Sequence, residues 1–455
     1  MSAKVSRGTP DTIAAIATPA GRSGIGIVRV SGALAKPVLR AVIGKVPEPR
    51  QATFATFRDG AGEAIDQGIA LYFPAPDSYT GEDILELQGH GGTAVLTRLL
   101  KRCLELGSRL ARPGEFTERA FLNDKLDLAQ AESVADLIEA GSEEAARSAA
   151  RTLTGEFSRR VHQLTEALTE LRTHVEACID FPEEEIDPAD RAAQQVKLQR
   201  IRSLQTNLAR EARQGVVLRD GLTVVLIGRP NVGKSSLLNC LAGDEVAIVT
   251  PIAGTTRDHV RATIHLEGVP IHLIDTAGLR DTDDTVEKIG IARTWAAIDK
   301  AGAALLISEA GEMAGRNEAE ILQQLPNNLP TAWVYNKIDL YQPVGVSRGT
   351  LTTGNHVSLF VSALTGEGID SLRAWLLETA GWHPGNEGVF LARERHMVAL
   401  GAAESHLEAA STQVAQYELF AEELRLAQMA LSSITGEFTS DDLLGEIFSR
   451  FCIGK

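Results

Sequence analysis

Four cysteines in 455 residues, Cys103, Cys178, Cys240 and Cys452, stand far apart and form no CxxC pair. That spacing argues against a disulfide framework and against a zinc site. No apolar run is long enough to span a bilayer, and no signal peptide is read at the N-terminus. The expected location is therefore cytoplasmic, with no membrane partner. Positive charge is also scarce: the formal net charge is −15, which argues against a general nucleic-acid coat or a membrane-surface protein. Arginines do cluster locally (Arg147, Arg151, Arg159, Arg160, then Arg200, Arg202, Arg210, Arg213). Their ordinary reading is a solvated helix face, with a local basic patch as the alternative. The length suggests about three domains, each large enough for its own core.

What the chain has is a phosphate-binding loop, Gly228-Arg-Pro-Asn-Val-Gly-Lys-Ser235. The apolar run Leu222 to Ile227 before it reads as a buried strand, and Ser235, Ser236 and the residues after them read as a helix. In that context backbone N–H groups of Asn231, Val232, Gly233 and their neighbours point at phosphates, and the helix dipole favours negative charge. Lys234 is expected on the β and γ phosphates and Ser235 on Mg²⁺.

Further motifs follow in order. Asp275-Thr-Ala-Gly278 comes after the strand Ile271 to Ile274, which puts the Asp275 carboxylate, with Thr276, Ala277 and Gly278, at a strand end near the metal. Asn336-Lys-Ile-Asp339 follows the strand residues Ala332-Trp-Val-Tyr335. The Asp339 carboxylate can accept two hydrogen bonds from the N1–H and 2-amino group of guanine. Adenine offers no such pair, so a buried Asp339 rejects it. Ser362-Ala-Leu364, after Val357 to Val361, is placed to close over the base; Lys337 and Ala363 belong to the same two motifs. Thr255 and Thr256, in Gly254-Thr-Thr-Arg-Asp258, supply a switch-loop hydroxyl for Mg²⁺ and the γ-phosphate. The nucleotide read from these residues is GTP.

The catalytic apparatus differs from that of Ras-like proteins. Leu279 stands where that class places a water-orienting Gln. Glu287 is one candidate to orient or deprotonate the attacking water; its plain reading is a solvated carboxylate beside Asp281, Asp283 and Asp284. Asn231 is a candidate ligand for a monovalent cation standing where an arginine finger's charge acts; its plain reading is a loop-stabilising Asn.

Residues 1 to about 120 read as mixed α/β, with strands at Thr12 to Ala17, Gly24 to Val30, Ile69 to Phe73 and Ile84 to Gln88, then a helix from about Thr93 to Leu106. Helical spacing begins at Leu126. Leu153, Phe157, Val161, Leu164, Leu168, Leu171, Val175 and Ile179 form a seam for one long helix. Phe181 to Pro188 breaks it, and Val196, Leu198, Ile201, Leu204 and Leu208 mark a second amphipathic helix. A further helical stretch runs from about Leu391 to Ile434. Because a helix needs its apolar face covered, the helices before and after the GTP unit are expected to pack together, with that unit inserted between them.

Outside the nucleotide motifs the chain carries Ala17-Thr-Pro-Ala-Gly-Arg22, Tyr79-Thr-Gly-Glu-Asp83, Leu87-Gln-Gly-His-Gly-Gly92 and Arg112-Pro-Gly-Glu-Phe-Thr117. It also carries Arg119 to Leu128, Phe181 to Ile186 and the tail Phe451-Cys-Ile-Gly-Lys455. Over its whole length the sequence resembles the tRNA modification GTPases of the MnmE/TrmE family. The resemblance implies a multidomain α/β and α protein. Residues 1–121 would be a tetrahydrofolate-binding and dimerisation domain, 122–219 and 381–455 the two parts of a helical domain, and 220–380 an inserted Ras-like GTPase domain. It implies a homodimer that assembles as a heterotetramer with an FAD-dependent tRNA modification protein of the MnmG/GidA type, FAD residing on that partner. Together they would add a carboxymethylaminomethyl or aminomethyl group to C5 of the wobble uridine, U34, of certain tRNAs.

Carried over position by position, Arg29, Glu86, Lys125 and Lys455 would contact 5,10-methylene- or 5-formyl-tetrahydrofolate. Basic groups suit the folate glutamate carboxylates, and Glu86 suits pterin N–H donors. Asn231, Thr250, Ile252 and Thr255 would ligate K⁺, within a loop that also includes Pro251 and Ala253. The ion would replace an arginine finger as two GTPase domains meet, and Glu287 would match the water-activating glutamate. Cys452 is a possible nucleophile, but a thiol needs a lowered pKa to react, so packing or site shaping is an equal reading. Ser308-Glu309 stands where related GTPases commonly have Val-Asp, a strand-end change expected to leave activity intact. Two rival readings remain: a ribosome-assembly or translation-associated GTPase without one-carbon chemistry, and a folate enzyme that needs no flavin partner. With so negative a chain, the flavoprotein partner is expected to supply much of the basic surface for tRNA.

Overall fold

The structure, a computed structural model, describes residues 11–19, 21–180, 188–229, 231–242, 260–275, 301–311, 326, 328–341, 350–353, 356–383, 388–437, 441–449, 451, 452 and 454. Contacts divide the chain into two compact units. The first comprises 1–135, 153–185 and 412–455, and the second 136–152 and 186–411.

In the first unit, alternation of apolar and polar residues builds a six-stranded sheet. Its strands are β1 (Ile13–Ile16), β2 (Ser23–Ser31), β3 (Thr53–Arg58), β4 (Ala64–Phe73), β5 (Ile84–Gly91) and β6 (Arg109–Leu110), in the order β3-β4-β5-β2-β1-β6. All neighbours are antiparallel except β1 and β6. Side chains alternate across a strand, so Ala14, Val28, Val30, Leu85 and Leu87 fall on one face. There they form a core with Val38, Leu39, Leu96 and Leu99 of helices α1 (Ala35–Ile43) and α2 (Thr93–Glu105). The other face presents Arg29, which is the register partner of Glu86. β3 and α1 were not read from the sequence: both are short, although α1 buries Ala35, Val38, Leu39 and Val42 at helical spacing.

Helices α3 (Glu115–Leu122), α4 (Leu128–Glu139), α5 (Glu143–Leu153) and α6 (Glu156–Asp180) follow. The seam predicted as one helix from Leu153 is two: Gly155, at φ +83°, separates α5 from α6, and only a residue without a Cβ takes that conformation cheaply. Phe157, Val161, Leu164, Leu168, Leu171 and Val175 are buried as expected, whereas Ile179 is only half-buried. α6 pairs with a later helix of the same unit, through Arg172 Nη1 donating to Gln428 Oε1 at 2.6 Å and Gln428 Nε2 to Thr169 Oγ1 at 3.0 Å.

The second unit holds α7 (Pro188–Asp220) and a seven-stranded sheet. Its strands are β7 (Leu222–Ile227), β8 (Val260–Leu266), β9 (Val269–Asp275), β10 (Ala303–Glu309), β11 (Thr331–Asn336), β12 (Thr350–Thr353) and β13 (His356–Phe360). Their order is β12-β13-β11-β10-β7-β9-β8; the five central strands run parallel and the two edges antiparallel. Strands covered on both faces read as nearly continuous apolar runs, which is why β7 and β10 were legible. The second unit also holds α8 (Lys234–Ala242), α9 (Ile369–Ala380) and nearly all of α10 (Glu394–Thr412), while α11 (Tyr417–Thr435) and α12 (Asp441–Ser449) belong to the first. The stretch expected from Leu391 to Ile434 is thus two helices, α10 and α11. α7 buries Leu198, Ile201, Gln205, Leu208 and Ala212. Val196 and Leu204, expected on its apolar seam, are instead 66% and 43% exposed, because they fall outside that three-and-four stripe.

Candidate functional site

In an open parallel sheet, ligands sit beyond the carboxyl ends of the strands, where the strand order reverses. Here β7 lies between β9 and β10, and the loop after β7 is the glycine loop. Asn231 at φ +67° and Gly233 at φ +92° turn the backbone around Val232, whose side chain is buried in the sheet's core. Lys234 opens α8, and its Nζ donates to the Gly228 carbonyl at 2.6 Å, across the mouth of the loop.

The loop is fastened from the end of β11. Asn336 Nδ2 donates to the Val232 carbonyl at 2.9 Å, and Asn336 Oδ1 accepts from the Ala363 amide at 3.1 Å. Lys337, at φ +64°, donates from Nζ to the Asn231 carbonyl at 3.0 Å and pairs with Glu309 at the end of β10. Glu309 was read in the sequence as a neutral strand-end change; the sheet register places it opposite Asn336 and gives it this partner. Its one sequence signal was a carboxylate ending an apolar strand.

Ser362 Oγ donates to Asp339 Oδ1 at 2.5 Å and accepts from the Thr365 amide at 3.2 Å. Ser362 is fully buried and Leu364 is 85% exposed. Asp339 is exposed, where the sequence reading has it buried: it lies in the turn past β11, on the rim of the sheet, and its partner is a serine rather than the core. Asp275 ends β9 beside Leu226 of β7. Thr250, Pro251, Ile252, Ala253, Gly254, Thr255, Thr256, Thr276, Ala277, Gly278, Leu279 and Glu287 lie outside the described residues, as does Lys455.

A second group sits on the polar face of the first unit's sheet. Arg29 Nε donates to Glu86 Oε1 at 2.9 Å, and its guanidinium carbon lies 5.8 Å from the Tyr79 ring centroid and 5.7 Å from that of Phe116. Arg29 Nη1 also reaches the Gly454 carbonyl at 3.4 Å, bringing the tail to this face. Gln88 Nε2 donates to Glu86 Oε2 at 3.3 Å. The Tyr79 hydroxyl is 2.9 Å from Thr117 Oγ1, and burial raises its pKa. Lys125 is exposed just after α3, and no contact joins it to Arg29 among the described residues. Cys452 is exposed, and its backbone carbonyl accepts from the Gly114 amide at 3.3 Å.

Beneath that face lies an ionic cluster the sequence did not announce. Arg119 donates to Glu82 at 2.9 Å and to Glu115 at 3.2 Å, and Arg109 Nη1 donates to Glu115 at 2.8 Å. Burial pushes the Glu115 carboxyl up, but hydrogen bonds from Arg109, the Arg112 amide and Arg119 outweigh it and bring it down to about 2.

Comparison with known proteins identifies the family. A family model described as "MnmE helical domain" matches residues 128–452, and one described as "GTP-binding protein TrmE N-terminus" matches residues 12–125. A protein of Chromobacterium violaceum named tRNA modification GTPase MnmE is 57% identical over 448 residues, 98% of this chain and 99% of that relative. Proteins of the same name from Thiobacillus denitrificans and an Azoarcus species are 58% identical over 446 residues and 57% over 456. They cover 98% and 100% of this chain, and 98% and 100% of those relatives. With a fastened phosphate loop at the sheet's switch point and matches that run nearly end to end, the chain belongs to the MnmE family of tRNA modification GTPases.

Proposed function

We propose that this GTPase, with an FAD-dependent partner of the MnmG/GidA type, adds an aminomethyl or carboxymethylaminomethyl group to C5 of U34 in certain tRNAs. The observation that carries this reading over an assembly GTPase is the Arg29–Glu86 pair between the Tyr79 and Phe116 rings, with the Gly454 carbonyl beside it. An assembly switch has no use for such a face. A reduced folate fits it: Glu86 suits pterin N–H donors, while Arg29, Lys125 and Lys455 suit the glutamate carboxylates. Bound there, the folate supplies the one-carbon unit.

At the nucleotide, the loop amides and Lys234 hold the phosphates, and Asp339 selects guanine. Asn336 keeps the loop and the Ala363 backbone in register, so base and phosphates are held together. Ser235 and Thr256 would hold Mg²⁺; Asn231, Thr250, Ile252 and Thr255 would hold K⁺. The Asn231 backbone carbonyl is taken by Lys337, and among the described residues no hydrogen bond engages its exposed side chain, which fits an ion ligand. The K⁺ would supply charge stabilisation that an arginine finger gives elsewhere. Glu287 orients or deprotonates the attacking water in place of the Gln that Leu279 replaces. A homodimer, pairing of GTPase domains and the division 1–121, 122–219, 220–380 and 381–455 complete the proposal.

Its test is reconstitution of the chain with the flavoprotein, tRNA, GTP and methylene-tetrahydrofolate. C5-modified U34 is expected by nucleoside mass spectrometry and is lost in Glu86→Gln. No modification with full GTP hydrolysis would favour the assembly-switch reading. Equal hydrolysis rates in K⁺ and Na⁺ would defeat the cation assignment.

A further inference from the structure

α7 is at odds with the rest of the chain. Against an overall excess of acid, residues 188–220 hold seven Arg or Lys and three Asp or Glu, and from Arg191 to Arg210 there is no acid at all. That acid-free run spans about 30 Å of helix.

The side of the helix carrying Leu198, Ile201, Gln205, Leu208 and Ala212 is buried, and near its C-terminal end Gln214, half a turn round from Gln205, is buried as well. Gln205 Nε2 donates to the Leu400 carbonyl at 2.9 Å and Gln214 Nε2 to the Gly381 carbonyl at 2.7 Å. A Cβ at Gly215 would lie 2.1 Å from the Phe390 carbonyl, so the backbone runs close against its neighbour there. Between Gln199 and Arg210 the side opposite Gln205 is open. Gln199, Arg202, Ser203, Thr206 and Asn207 lie together there, at positions i, i+3, i+4, i+7 and i+8 of one helix face. Arg200, Arg210 and Arg213 are exposed beside it. Arg210 donates to Asn207 Oδ1 at 3.2 Å, and Arg200, Arg202 and Arg213 form no ion pair among the described residues.

We propose that this face of α7 is a docking track for the sugar–phosphate backbone of tRNA. The inference rests on tRNA being the substrate, as proposed above, and adds where this chain itself touches it. Phosphate contacts come from Arg together with Ser, Thr, Asn and Gln, the mixture on this face. The run Arg191 to Arg213 contains no Phe, Tyr or Trp, so it offers bases nothing to stack on and holds backbone without reading sequence. A membrane-surface helix would need its apolar face free to insert. Here Leu198, Ile201 and Leu208 are buried inside the unit, which argues against insertion, and the acid-free basic run complements a soluble polyanion.

The test measures binding of an unmodified tRNA transcript to the full chain by fluorescence anisotropy, over a KCl series. Two variants are compared with the parent: Arg200→Gln/Arg202→Gln/Arg210→Gln/Arg213→Gln, and the charge-preserving set with Lys at the same positions. The Gln set is expected to weaken binding at least ~10-fold and to flatten the log–log salt slope by about 2 to 3, while the Lys set keeps the slope. Unchanged circular dichroism and tRNA-free GTP hydrolysis establish that both variants are folded. A parent chain without salt-dependent tRNA binding, or a Gln set with the parent's affinity and slope, overturns the track. Loss of binding to phosphatidylserine vesicles with tRNA binding intact also overturns it and assigns the face to a membrane. U34 modification by the same preparations separates the two ideas. A parent that modifies tRNA without needing the four arginines sinks only the track, and a parent that never modifies tRNA sinks the functional reading.

Discussion

Asn336 and Val232 lie 104 residues apart in sequence, and a single hydrogen bond of 2.9 Å from Asn336 Nδ2 to the Val232 carbonyl joins the end of β11 to the glycine loop. The other end of the same amide accepts from Ala363. Asn336→Ala leaves both backbone groups without their partner, and each buried orphan costs about 1–3 kcal/mol. GTP affinity measured by titration calorimetry is expected to fall about 10- to 100-fold, at 1.4 kcal/mol per factor of ten. Unchanged affinity would show that the two motifs do not depend on this bond.

Gly233 is the tightest point of the same junction. Its φ is +92°, and a Cβ there would come within 2.3 Å of Asn336 Nδ2. Gly233→Ala is expected to abolish nucleotide binding, with the far-ultraviolet circular dichroism spectrum kept. Retained binding would mean the loop can open around Asn336.

Asp339→Asn tests the choice of base. A carboxylate accepts from guanine N1–H and the 2-amino group, whereas an amide turns one acceptor into a donor. A loss of GTP affinity of at least ~100-fold is expected, with a gain for xanthosine triphosphate, whose 2-oxo group accepts where guanine donates. Competition binding with the two nucleotides reads the exchange.

Glu115 makes the first unit sensitive to acid. Its carboxyl is held at about 2 against an ordinary 4.5. A carboxyl lowered by folding stabilises the native state above its unfolded pKa, and that stabilisation is lost as pH falls toward the folded value. The stability gap between the parent and Glu115→Gln in urea should be largest near neutral pH and shrink from about pH 4.5 toward pH 2. A gap constant across that window would contradict the assignment.

Asp136, whose side chain is 5% exposed, binds Arg219 Nε at 2.9 Å and Arg393 Nη2 at 2.7 Å. Removing one partner of a buried ionic group leaves uncompensated charge, at about 3–5 kcal/mol. Asp136→Ala should lower the unfolding free energy of the second unit by that much, seen as a lower urea midpoint in the fluorescence of the chain's four tryptophans. A shift within experimental error would show that water replaces the carboxylate there.

By itself the sequence determined what depends on neighbours along the chain. The glycine loop, the strand before it and the order of Asp275, Asn336, Asp339 and Ser362 were legible because each needs a particular residue at a particular spacing. So was the buried stripe of α6, since helical periodicity is local. Only the tertiary structure decided which side of α7 is buried, that Gly155 splits the long seam and that Asp339 is exposed. It alone brought Glu309 to Lys337, Asn336 to Val232, and Arg119 to Glu82. Those partners are remote in sequence or presented by different elements. Their pairing follows from strand register and helix docking, which act across folded distance and leave no period in the sequence.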